Sequence, residues 1–273
     1  MVDFPLYYLN MTKIFKTIFL ASIVLLASLS WEVHADTLKN ILDSGTLRVG
    51  VSLFTPWTMK NEAGQLSGFE IDFANKLAED IGVKPKFNIY QWDQIIAALI
   101  KGEIDVIAGG MAITPARALK INFSRPYADS GISLVTNTAK TQNISSLEEL
   151  NQQDIFFTVV SESASNELVD RLFNKATVMK FKTAEEAAKA VLDGVAHAFV
   201  ASSPQPEFLA LQHADKLDAP LSKPLLTYKA GLAINKEEQE WLNFLNSWVT
   251  ARDADKWLSA THKYWFNSLE WRK

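Results

Sequence analysis

The residues best placed to do chemistry lie in one stretch, Gly109-Gly110-Met111-Ala112-Ile113-Thr114-Pro115-Ala116-Arg117, which runs on to Asn122-Phe123-Ser124-Arg125-Pro126-Tyr127. Thr114 followed by Pro115 has the form of a helix N-cap with proline at the first helical position. Arg117 then falls in the first helical turn, where the macrodipole disfavours a cation. An anion at that helix end would explain the placement, because backbone N–H groups and the guanidinium could bind it together. The alternative is a surface arginine paired with Asp or Glu, and such pairs are common. Ahead of the helix, Asp105-Val106-Ile107-Ala108 reads as a buried parallel strand, so the stretch leaves a strand at its carboxyl end.

The elements that must position these residues form one unit used twice. Leu47–Val51 reads as a strand, Phe69–Ile81 as an amphipathic helix closed by Gly82, and Lys86–Tyr90 as a second strand. Asp93–Lys101 reads as a helix capped by Asp93 with Gly102 after its end, and Asp105–Gly109 as the third strand. The second unit runs through a strand Phe156–Val160, a helix Ser163–Phe173 and a strand Thr177–Phe181. A helix from Thr183, with Thr183 and Glu186 as a capping box, and a strand His197–Ala201 complete it. Strand–helix–strand–helix–strand, twice, predicts two doubly wound α/β lobes rather than one mixed domain. Gly131–Thr138 and Tyr228–Ile234 read as extended segments, two hinge strands that insert the second lobe into the first. The expected bounds are 36–136 plus 230–273 for lobe 1 and 137–229 for lobe 2. The C-terminal Trp241, Leu245, Trp248, Trp257, Leu258 and Trp265 have helical spacing and are expected to pack on lobe 1.

Ligands of doubly wound sheets bind outside the carboxyl ends of the strands. In lobe 1 those ends carry Phe54, Pro56 and Trp57, then Trp92, then Gly110, Met111 and Ala112. In lobe 2 they carry Ser161, Glu162 and Ser163, then Ser202 and Ser203. Aromatics on one side and small polar groups on the other describe a small-molecule pocket. Each residue also has a plainer reading: Phe54 and Trp92 as core, Trp57 as a wall, Ser163 as a helix cap, Glu162 as a carboxylate at a helix N-terminus.

The central stretch resembles the extracellular solute-binding protein family that delivers polar amino acids to ABC importers. That family carries Gly-Met-Thr/Ser-Ile-Thr-x-x-Arg followed by Phe-Ser-x-Pro-Tyr. The chain matches at Gly110, Met111, Ile113, Thr114, Arg117, Phe123, Ser124, Pro126 and Tyr127, and departs at Ala112. Gly45-Thr46-Leu47-Arg48-Val49-Gly50 and Gly68-Phe69-Glu70-Ile71-Asp72 extend the resemblance toward the N-terminus. It implies a type II periplasmic binding protein, two doubly wound α/β lobes joined by two hinge strands that close on a solute. The expected ligand-contact set is Phe54, Trp57, Trp92, Gly110, Met111, Ala112, Arg117, Glu162, Ser163 and Ser202; the resemblance implies Phe54 and Trp92 as an aromatic clamp, whereas Glu162 stands where the family usually has glycine and is either a solvated surface charge or a new pocket group. The implied partners are a small polar, carboxylate-bearing solute and a membrane ABC permease, with the protein a monomer.

Composition narrows the alternatives. Met11 reads as the true start, Lys13 and Lys16 as a basic region, Ile18 to about Leu29 as an apolar core, and Val33-His34-Ala35 as a cleavage site. The apolar run is too short for a membrane span. The expected location is therefore the periplasm, after cleavage at Ala35. The removed segment carries Lys13, Lys16, Asp3 and Glu32, so the formal charge stays at −4. A mildly acidic chain argues against nucleic acid or an anionic membrane surface as partner. The chain has no cysteine, which excludes a lipidated cysteine, a disulfide and a thiolate metal site.

Enzyme signatures are poor, and neither a cofactor nor a metal is expected. His197, His213 and His262 lack partners at catalytic or ligating spacing, and there is no P-loop, Gly-x-Gly-x-x-Gly or Gly-x-Ser-x-Gly. One enzyme alternative rests on the same resemblance. A cyclohexadienyl dehydratase shares the fold, and Ser165-Asn166-Glu167 resembles the end of one of its loops, with Glu167 partly buried as general acid. A ligand-sensing binding protein for a separate receptor is the other.

The departures from the family pattern bear on the solute. The family supplies an aspartate for the solute's α-ammonium where this chain has Ser202, and Ala112 lacks a hydroxyl that would help bind a carboxylate. A buried ammonium without a counter-charge is costly. Either the solute lacks an α-ammonium, the preferred branch, or Glu162 supplies the charge.

Overall fold

The computed structural model describes residues 36–268 and Trp271. The expected leader, its start at Met11 and its cleavage after Ala35 lie outside the described residues. Two sheets organise the rest. The first has strands in the order Lys84–Ile89, Thr46–Val51, Val106–Ile107, Ala233–Ile234 and Asn122–Phe123. Its first two pairings are parallel and the last two antiparallel. The second runs Leu217–Asp218, Ala128–Asn137, Ala198–Ser202, Phe156–Val160 and Thr177–Phe181, with Leu226–Ala230 also paired to Ala128–Asn137. Within it Ala198–Ser202, Phe156–Val160 and Thr177–Phe181 are parallel, as the crossover helices require.

The helices form where the local signals lie. Phe69–Ile81 buries Phe69, Ile71, Phe73, Ala74, Leu77 and Ala78 along one stripe and ends at left-handed Gly82. Ala184–Leu192 starts with the expected capping box of Thr183 and Glu186. Trp92–Ile100 begins one residue earlier than its sequence suggests. Its cap is Gln91, and Asp93 sits in the first turn, where a carboxylate is still favoured by the dipole. The helix at Pro115–Ala118 has Thr114 as cap and proline at its start but is only four residues long.

Each sheet has its own core. Leu47, Val49, Phe69, Phe73 and Leu77 pack with Trp241, Leu245, Trp248, Leu258 and Trp265 of the C-terminal segment, which returns to the first sheet. Three indole N–H groups of the C-terminal segment are satisfied: Trp241 donates to the Asp105 carbonyl (3.1 Å), Trp248 to Asp80 (2.8 Å) and Trp265 to Asp72 (2.7 Å). The second sheet packs Leu134, Phe157, Val159, Leu168 and Val169 on one face, and Val135, Ala187, Val191 and Phe199 on the other. Ala128–Asn137 pairs wholly within the second sheet, so the chain passes between sheets near Tyr127 and back near Gly231-Leu232.

Candidate functional site

A cavity of about 290 Å³ opens between the carboxyl ends of both sheets. Its first-sheet wall holds Phe54, Gln91, Trp92, Gly109, Gly110, Ala112 and Arg117; its second-sheet wall holds Ser163, Ser165, Lys182, Thr183, Glu185, Ser202, Gln205 and Tyr228. Seven of the expected contact residues therefore meet in one space: Phe54, Trp92, Gly110, Ala112, Arg117, Ser163 and Ser202.

Arg117 is 6% exposed, so it is a buried cation and not a surface arginine. Its Nη1 donates to the Ala112 carbonyl (3.1 Å) and its Nη2 crosses to the Glu162 carbonyl (3.2 Å). The guanidinium carbon lies 5.6 Å from the Trp92 ring centroid, within cation–π range. Among the described residues no carboxylate comes within 4 Å of it. Burial holds its pKa below the usual arginine value, with Glu167 opposing at longer range. The four-residue helix carries too little dipole to define an anion site. Arg117 itself is the attractor, with two of its five N–H donors on neutral carbonyls.

The other three expected residues stand elsewhere. Trp57 is 1% exposed and lies behind the wall, packed on Phe69 and Phe266 with ring centroids at 5.7 and 4.7 Å. Met111 is fully buried among Ile95, Leu99 and Ile121, because the turn at Gly110 points the next side chain into the core and Ala112 back to the cavity. Glu162 is exposed and off the cavity wall. It adopts φ 56°, a conformation that glycine takes without cost, and it offers Arg117 its carbonyl and not its carboxylate. Ser163 has both of its readings: it caps the helix Ala164–Leu172, accepting from Asn166 N–H at 3.1 Å, and borders the cavity.

Behind the Gly110 wall is a buried network. Gly110 N–H donates to Glu70 Oε1 (2.7 Å) and to the Tyr127 hydroxyl (3.1 Å), and Tyr127 O–H donates to the same Glu70 oxygen (2.6 Å). Gly110 has φ 59°, and a Cβ there would come 2.8 Å from Trp57 Cε3, so only glycine fits. Glu70 is fully buried and its second oxygen has no partner; desolvation pushes its pKa up to about 7, against the pull of Tyr127 and Gly110.

Tyr228, Gln205, Gln91, Lys182, Thr183 and Glu185 were not expected at the site. Tyr228 O–H donates to Ser202 Oγ at 2.7 Å, and Gln205, 8% exposed, has an amide oxygen without a partner. The strand-end rule, applied to Thr177–Phe181 as well, points to Lys182 and Thr183. Two of the histidines have structural roles: His197 Nδ1 accepts from Phe156 N–H (3.1 Å), and His262 packs on Phe266 (4.3 Å between centroids). Among the described residues, no three His, Cys, Asp or Glu side chains cluster to hold a metal ion.

The sequence model of the bacterial extracellular solute-binding proteins, family 3, matches residues 47–268. The chain belongs to this family. A crystal structure of the ancestral amino acid-binding protein AncCDT-1, a precursor of cyclohexadienyl dehydratase, is 34% identical, with 85% of this chain and 100% of that one covered and a TM-score of 0.77. The L-cystine-binding protein TcyJ of Escherichia coli is 31% identical over 137 residues, 49% of this chain. The match spans about half the length of that relative, 52%. The cyclohexadienyl dehydratase of Pseudomonas aeruginosa is 23% identical over 255 residues, 93% of each chain. The fold is that of the family 3 type II periplasmic binding proteins, two α/β lobes about a cleft.

Proposed function

We propose that this family 3 protein captures a small carboxylate-bearing solute, an amino acid or a related compound, between its lobes and presents the closed form to a membrane ABC permease. The observation that carries the reading is Arg117: a buried guanidinium at the cavity wall, with no carboxylate partner among the described residues, hydrogen-bonded to main chain of both lobes. Such a cation is incompletely compensated until an anion arrives. Phe54 and Trp92 supply an apolar grip, and Ser163 and Ser202 polar contacts from the facing wall. The two sheets support a second lobe that starts nearer Tyr127 than residue 137 and ends near Ala230. A monomer in the periplasm, released after Ala35, fits this role. The dehydratase alternative loses support because Glu167 is exposed and off the cavity wall.

A thermal-shift screen of amino acids, amines and organic acids identifies the solute class. Ligand at about 100 times Kd adds about 2.7 kcal/mol to the native state, a rise of roughly 5–10 °C in Tm for a protein of this size. No single lobe can surround a solute here, so binding favours the closed state through contacts that only closure makes. Small-angle scattering with a stabilising solute at saturation is expected to show a smaller radius of gyration than without it. Superimposable profiles would mean a permanently closed protein or a site on one lobe.

A further inference from the structure

The charges around the cavity do not balance for a zwitterion. Among the described residues, three side chains with formal charge line it: Arg117, Lys182 and Glu185. Lys182 and Glu185 are both exposed, lie three residues apart on one lip and offset each other, so the buried charge is that of Arg117 alone. Glu162 turns its carbonyl inward and leaves its carboxylate exposed. Glu70 is sealed behind Gly110 and committed to that N–H and to Tyr127. The helices Ala164–Leu172 and Ala184–Leu192 border the cavity with their N-terminal first turns, whose dipoles also favour negative charge.

The remaining polar groups are neutral and complementary. Tyr228 O–H donates to Ser202 Oγ, which leaves the Ser202 hydroxyl hydrogen available to donate. Gln205, more than nine-tenths buried, holds an amide oxygen without a partner at the same wall. A donor and a neutral acceptor among the lining residues of one wall suit a hydroxyl, and the donor alone suits a keto oxygen. They leave a fixed positive charge without an anion to meet it.

We infer that the cleft takes an organic acid whose second polar group is a neutral oxygen, hydroxyl or keto, in place of a charged α-ammonium. This rests on the reading of Arg117 as the carboxylate's partner. The carboxylate pairs with Arg117, the oxygen at C2 meets Ser202 and Gln205, and the remainder of the solute lies along Phe54 and Trp92.

Calorimetry on the wild-type protein tests this with matched pairs that share a carbon skeleton and differ at C2: aspartate and malate, glutamate and 2-oxoglutarate, phenylalanine and phenylpyruvate, alanine and lactate. At least one hydroxy or oxo acid is expected to bind about 30-fold or more tightly than its amino twin. Arg117→Ala should weaken that binding by about 30- to 150-fold, and Ser202→Asp should narrow or reverse the preference. An amino acid that binds as tightly as its oxygen twin or better, and loses binding in Arg117→Ala, overturns this inference while leaving carboxylate capture intact. Binding of no member of any pair by the wild type overturns carboxylate capture as well.

Discussion

Replacing Arg117 by alanine weakens solute binding by about 30- to 150-fold, equivalent to about 2–3 kcal/mol of charge-assisted hydrogen bonding. Stability without solute changes by no more than about 1 kcal/mol, because no ion pair is broken. What goes is a buried guanidinium bonded to the carbonyls of Ala112 and Glu162, and its own desolvation goes with it. Arg117→Lys keeps the charge but loses the planar fork and its contact with Trp92, and is expected to fall between. Calorimetry with the best solute, beside denaturant melts of both forms, separates the two effects. Unaltered affinity in Arg117→Ala would remove this residue from the site.

Glu70→Gln changes the pH dependence of stability more than any surface substitution. Burial raises the native carboxyl's pKa to about 7 from the ordinary glutamate value of 4.5, so between these limits the native state holds a proton that the unfolded chain releases. Stability therefore falls as pH rises through this window and levels off above it. The raised pKa corresponds to a loss of about 3 kcal/mol across the window. Glutamine stays neutral and keeps the oxygen to which Gly110 and Tyr127 donate. From pH 4.5 to pH 8 the variant should gain about 3 kcal/mol on the wild type, or roughly 6–12 °C in Tm. Parallel melting-temperature curves for the two proteins would show that Glu70 is ionised throughout.

Some local signals carry straight into the structure, whereas the cap expected at Asp93 falls to Gln91. The Thr183–Glu186 capping box and the Thr114-Pro115 helix start depend on residues three apart and need no tertiary contact. The repeated strand and helix order, with its apolar periodicity, marks the three parallel strands of each sheet, whereas Asn122–Phe123 and Leu217–Asp218 are too short to carry such a signal. What was not legible depends on direction. Phe54 and Trp57 lie three residues apart in one loop, yet one faces the cavity and the other the core. Met111 and Ala112 divide in the same way at the positive φ of Gly110. Tyr228 reads as a hinge-strand residue, and it reaches the site only through the pairing of Leu226–Ala230 with Ala128–Asn137, a contact across some hundred residues of chain. In the sequence Arg117 is a cation at a helix start, whereas its role in the fold comes from burial, which no spacing reveals.

The most direct measurement of the central claim is a crystal structure with the best-binding solute. A carboxylate hydrogen-bonded to the Arg117 guanidinium is expected, with the rest of the solute against Phe54 and Trp92 and facing Ser202 from the other lobe. A solute bound outside this cleft, or bound within it with no anionic group at Arg117, would contradict it.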